Sequence, residues 1–100
     1  MKENGIVMVR MSARISGRVQ GVGFRAFALH QARELGVAGW VKNTPNGDVR
    51  IVAEGTRSQL VEFEQSLHEG PPSAHVIEID VVWEQASAEF DMFQIRYGGI

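Results

Sequence analysis

The sequence predicts an α+β domain in which two helices cover one face of an antiparallel sheet. Three observations carry that reading. A strand pattern of period two ends at a run of glycines and gives way to a helical pattern. An Asn46-Gly47 pair joins two further strand patterns as a hairpin, and a capping-box signature, Thr56-x-x-Gln59, opens a second helix after them. With 100 residues, 44% hydrophobic and 22% charged, the chain suits one globular domain with a single core.

From Val9 to Val19 the residues Val9, Met11, Ala13, Ile15 and Val19 alternate with Arg10, Ser12, Arg14, Ser16 and Arg18, the mark of a half-buried strand. The arginine face is expected to be solvated, apart from Arg18 at the loop end. After Gly23 the period becomes helical, with Phe24, Phe27, Ala28, Gln31 and Leu35 on one face and Ala32 beside them, until Gly36 supplies a stop. Phe24 and Phe27 are expected in the core. Residues 37–43 read as a second strand carrying Trp40 and Val41.

In the third strand Val49, Ile51 and Ala53 alternate with Asp48, Arg50 and Glu54, and Gly55 breaks the pattern. The second helix buries Leu60, Phe63 and Leu67 and is ended by Gly70-Pro71-Pro72. In the fourth strand Ile77, Ile79, Val81 and Trp83 alternate with Glu78, Asp80, Val82 and Glu84. A polar connection then leads to a short extra C-terminal strand, where Phe93, Ile95 and Tyr97 alternate with Gln94 and Arg96. The order βαββαβ is that of a ferredoxin-like sandwich. Its single domain is expected at 9–97, with a flexible leader at 1–8 and a tail at 98–100.

Composition narrows the function. The formal net charge is −2 and the isoelectric point about 5.9, which disfavours binding to a nucleic-acid backbone. There is no Cys, and no run approaches the ~20 apolar residues of a membrane span. A cytoplasmic monomer without membrane or nucleic-acid partners is expected. Locally the balance differs: Arg10, Arg14, Arg18 and Arg25 fall in a stretch with no acid at all.

Gly17, Gly21 and Gly23 stand at the junction of the first strand and first helix, where turned backbone and the helix N-terminus gather N–H donors around one point. Taken alone, such a turn is more often plain structure than a binding site. Arg25 shifts the reading towards function, because a cation in the first turn opposes the helix dipole unless an anion sits beside it. No Gly-Lys-Ser/Thr closes the loop, and its glycine spacing does not fit the dinucleotide fingerprint. In the expected topology the first and second strands run the same way with the third between them. Asn43, ending the second, therefore shares a rim with the loop, about 10 Å away. Its carboxamide suits the positioning of water, and Thr44 is expected to buttress it.

The blocks Gly17-Arg18-Val19-Gln20-Gly21-Val22-Gly23-Phe24-Arg25 and Gly39-Trp40-Val41-Lys42-Asn43, with the hairpin glycine Gly47, resemble the acylphosphatase family in content and separation. The ending Phe93-x-Ile95-x-Tyr97 is also similar to the family's. The resemblance implies hydrolysis of the carboxyl–phosphate bond of small acyl phosphates. Neither a metal nor a cofactor is expected, since such a bond needs chiefly positioning and no His or carboxylate cluster has ligand spacing. The resemblance also implies that Arg25 binds the phosphate, that Asn43 orients the attacking water, and that Gln20, Gly21, Val22, Gly23 and Phe24 supply loop donors, with Arg18 in support. Two readings compete on the same fold. An RNA-recognition domain would expose aromatics on the third strand, where this chain has none. A non-catalytic anion-binding or accessory module would keep the cradle and lose turnover.

Overall fold

The first period-two run forms β1 (Met8–Arg18) in a computed structural model whose described residues are 6–97. It is followed by α1 (Phe24–Leu35), β2 (Ala38–Asn43), β3 (Val49–Thr56), α2 (Arg57–Glu69), β4 (His75–Gln85) and β5 (Phe93–Ile95). Strand order across the sheet is β4-β1-β3-β2-β5. The first four strands pair antiparallel, whereas β5 pairs parallel to β2, so the sheet is mixed. The expected antiparallel sheet with a short extra C-terminal strand is present, and that extra strand runs parallel to β2 because the chain leaves β4 and crosses to the far edge before β5 begins. The expected leader and tail fall largely on residues 1–5 and 98–100, outside the described residues.

Alternation puts Met11, Ala13 and Ile15 of β1, Val41 of β2 and Val49, Ile51 and Ala53 of β3 on one face. Both helices bury their stripes against it, Phe24, Ala28 and Ala32 from α1 and Leu60, Phe63 and Leu67 from α2. Helical spacing explains the first set, since residues four apart share a face. Phe27, three residues on from Phe24, is only half-buried and tilts against the Phe24 ring, so it is not the core residue expected from the pattern. The short β5 is held from below by Phe93, buried and edge-on to Phe63 at 5.7 Å. Burial of that ring contributes about 2–3 kcal/mol.

The capping box at Thr56 is fully formed. Gln59 N–H donates to the Thr56 hydroxyl at 3.1 Å and Thr56 N–H to Gln59 Oε1 at 2.8 Å. Gly55 does not break β3, which runs on to Thr56 in register with β1. Ile77 points outward and is 72% exposed, because the register slips between Ser16 and Gly17 and Val76 takes the inward position instead.

The arginine face of β1 carries ion pairs instead of water alone. Arg14 reaches Asp48 and Asp80. Arg10 pairs with Glu54, expected to face solvent but only 5% exposed. The Glu54 carboxylate also accepts from the N–H groups of Ser87 and Ala88, at 2.8 and 3.0 Å, and so ties down the connection between β4 and β5.

Candidate active site

Because β3 lies between β1 and β2 and antiparallel to both, the C-terminal ends of β1 and β2 open on one rim. A cleft of about 180 Å³ lies there. Its lining brings together Gly21, Gly23, Phe24 and Arg25 from the loop and α1 with Asn43 from the end of β2. The two stretches singled out in the sequence thus meet at one cavity.

The loop owes its shape to Gly21 and Gly23, at φ +74° and +82°, left-handed values that side-chain-bearing residues rarely adopt. Gly23 is the N-cap of α1 and offers no side chain to the first turn, which also contains no acid. Among the described residues, no N–H from Gly21 to Ala26 donates to an acceptor. These groups, with the positive end of the helix, make an anion seat.

Arg25 projects from the first turn, half-buried, and its guanidinium carbon lies 5.1 Å from the centre of the Tyr97 ring. It has no carboxylate partner among the described residues. Asn43 Oδ1 is buried and accepts no hydrogen bond from any described residue. A buried carbonyl-type oxygen left unpaired costs about 1–3 kcal/mol, which a bound water or ligand donor would recover. No Asp, Glu or His lines the cleft, and no cluster of three such residues that could hold a metal occurs among the described residues.

The other expected site residues fall into distinct places. Gln20 turns its side chain away from the cleft, and Nε2 donates to the carbonyls of Thr44 and Asp48 at 2.8 and 2.7 Å. Its carboxamide therefore braces the loop against the β2–β3 hairpin. Val22 packs on the edge of the core. The Thr44 hydroxyl faces Asn46 Oδ1 and the Asp48 carbonyl, not Asn43, so the expected buttress is corrected to a hairpin brace. Arg18 ends β1 opposite His75 and lies outside the cleft lining.

Tyr97 is a lining residue that the sequence did not single out. Its signal was the alternation Phe93-Ile95-Tyr97. Only the parallel pairing of Val41 with Ile95, continued by the Arg96 N–H to Val41 carbonyl bond at 2.8 Å, carries that side chain to the rim of Asn43.

The architecture and the cleft define a small α+β protein in which open loop N–H groups, Arg25 and Asn43 share one rim. The acylphosphatase family model matches residues 11–95. An acylphosphatase from Salinibacter ruber is 49% identical over 87 residues, covering 87% of this chain and 92% of that one. The crystal structure of acylphosphatase from Bacillus subtilis superposes with a TM-score of 0.87 at 37% identity, over 89% of this chain and 99% of that one. The structure of an acylphosphatase from Coxiella burnetii gives a TM-score of 0.84 at 35% identity, over 94% of this chain and 100% of that one. The chain belongs to the acylphosphatase family.

Proposed function

We propose that the protein hydrolyses the carboxyl–phosphate bond of small acyl phosphates to a carboxylate and inorganic phosphate, with Arg25 and Asn43 as its catalytic residues. Family membership supports the reaction. One observation carries the mechanism: Asn43 Oδ1, buried and unpaired, shares a cleft with Arg25 and the open N–H groups of the loop.

In this reading the phosphoryl group sits in the cradle, its oxygens accepting from the loop N–H groups and the Arg25 guanidinium. Asn43 Oδ1 accepts a hydrogen bond from one O–H of a water and holds the water oxygen in line with the phosphorus. A bond forms from that oxygen to phosphorus while the bond from phosphorus to the acyl oxygen breaks, and its electron pair leaves on the carboxylate. The water proton passes to a phosphoryl oxygen of the substrate. No protein base is called for, because a carboxylate of ordinary pKa, about 4, leaves without protonation and the loose transition state needs chiefly positioning.

Among the described residues no helix is long and apolar enough to cross a membrane. The same reading places the protein in a reducing cytoplasm, which the absence of Cys supports.

The test follows loss of an aromatic acyl phosphate by absorbance, with chelator present. Enzyme-like turnover by the native chain, lowered about 100-fold or more in folded Arg25→Ala, supports the assignment. A folded native chain that binds phosphate without turnover would instead make the cradle a binding module.

A further inference from the structure

Among the described residues Glu54 is the one buried charged side chain, 5% exposed, and it lies outside the cleft lining. A carboxylate is kept out of water only where donors replace the water it loses. Apart from Arg10, its donors all come from the connection between β4 and β5: the Ser87 and Ala88 N–H groups at 2.8 and 3.0 Å and the Ser87 hydroxyl at 3.1 Å. Arg10 grips the same segment, through the Glu89 carboxylate and with its guanidinium carbon 5.4 Å from the centre of the Phe90 ring. Ala88 stands at φ +61°, a left-handed value that a residue with a side chain keeps only where its surroundings enforce it.

What this grip holds is the placement of β5. That strand is three residues long and lies at the edge of the sheet, against β2 alone. Its alternation does not specify its register, since a slip of two residues would seat Ile95 where Phe93 lies. The crossing from β4 restricts it. Four strand spacings, about 19 Å, separate β4 from β5, and the chain from Gln85 to Phe93 reaches at most about 27 Å, with a bend at Ala88 on the way. Beyond Ile95 stands Tyr97, whose ring centre lies 5.1 Å from the Arg25 guanidinium carbon. A slip of two residues would draw that ring about 7 Å along the strand.

We propose that Glu54 is a remote positioning residue for the hydrolysis: by holding the crossing it sets the register of β5, and through it the Tyr97 ring that orients Arg25. Glu54 pairs with Ala38 at the start of β2, whereas Asn43 ends that strand, so Glu54 stands about 17 Å along the sheet from the cleft. It acts through the chain and not on the substrate. The inference rests on Arg25 holding the phosphate, as proposed above.

The experiment compares the native chain, Glu54→Gln, Tyr97→Ala and the double variant, by hydrolysis of an aromatic acyl phosphate and by backbone amide exchange followed by NMR. Glu54→Gln should lower kcat/KM about twofold to fivefold, as Tyr97→Ala does, and the double variant should fall no further than Tyr97→Ala alone. The Arg96 N–H, bonded to the Val41 carbonyl at 2.8 Å, should exchange about tenfold faster or more in Glu54→Gln. If Glu54→Gln does not fold, Ser87→Ala, which removes a hydroxyl in contact with Glu54 and Glu89 and strands no charge, carries the same comparison. Native kcat/KM in folded Glu54→Gln overturns the proposal, as do additive losses in the double variant. Unchanged exchange at Arg96, with faster exchange in β1, would make Glu54 a support of global stability only and overturns it too. A native chain without turnover would defeat the functional reading, and exchange at Arg96 would still decide whether Glu54 holds β5.

Discussion

Arg25 and Tyr97, 72 residues apart in the chain, meet face to ring at 5.1 Å, joining the first turn of α1 to the end of β5. Tyr97 is 74% exposed, so the contact orders the guanidinium without burying it. A cation–π contact at an exposed site is worth about 0.5–1 kcal/mol. Tyr97→Ala should therefore lower kcat/KM between about twofold and fivefold, while Tyr97→Phe, which keeps the ring, stays near native. Steady-state kinetics on both variants check this.

Glu54 should set the acid limit of stability. Burial pushes its carboxyl pKa up, but the Ser87 and Ala88 N–H groups, the Ser87 hydroxyl and the Arg10 guanidinium together hold it below the ordinary value. A carboxyl depressed in the folded state contributes stability above its unfolded pKa of about 4.3, and that contribution fades as pH falls further, through the folded value. Glu54→Gln should lose about 2 kcal/mol near neutrality and show a flatter loss below pH ~4. Thermal unfolding across pH reads both effects.

Gln20 should matter through geometry. Its two bonds to the hairpin carbonyls link the loop to the residues that follow Asn43. Gln20→Ala should cost about 1–2 kcal/mol of stability. It should also weaken phosphate binding without moving the pH profile of turnover, since no titrating group is removed.

Much of this arrangement was legible because it follows from short-range pattern. The alternation in β1, the glycines before Phe24, the Asn46-Gly47 turn and the Thr56–Gln59 capping box each fix an element. The resulting topology alone puts Asn43 on the rim of the loop. What escaped depends on partners distant in the chain. Glu54 alternates like a solvent-facing acid, and only the return of Ser87 and Ala88 beneath it makes it a buried anchor. Ile77 reads as inward until the slip at Ser16 and Gly17 turns it out. The place of Tyr97 depends on which edge β5 joins, which three residues of alternating pattern do not specify.

The bond cleaved is also fixed by the account. In the proposed mechanism the phosphoryl group sits in the cradle and Asn43 holds the water, so attack falls on phosphorus. A turnover in heavy-oxygen water should place the label in inorganic phosphate and leave the carboxylate unlabelled. Mass spectrometry of the two products reads it directly.

The most direct test compares kcat with the inhibition constant for inorganic phosphate in the native chain, Asn43→Ala and Arg25→Ala. Asn43→Ala should lose about 100-fold in kcat at nearly native phosphate affinity, because in the proposed mechanism Asn43 holds the water and not the phosphate. Arg25→Ala should lose both. A folded Asn43→Ala protein with native kcat, or one that loses phosphate affinity as Arg25→Ala does, would contradict the division of labour between these two residues.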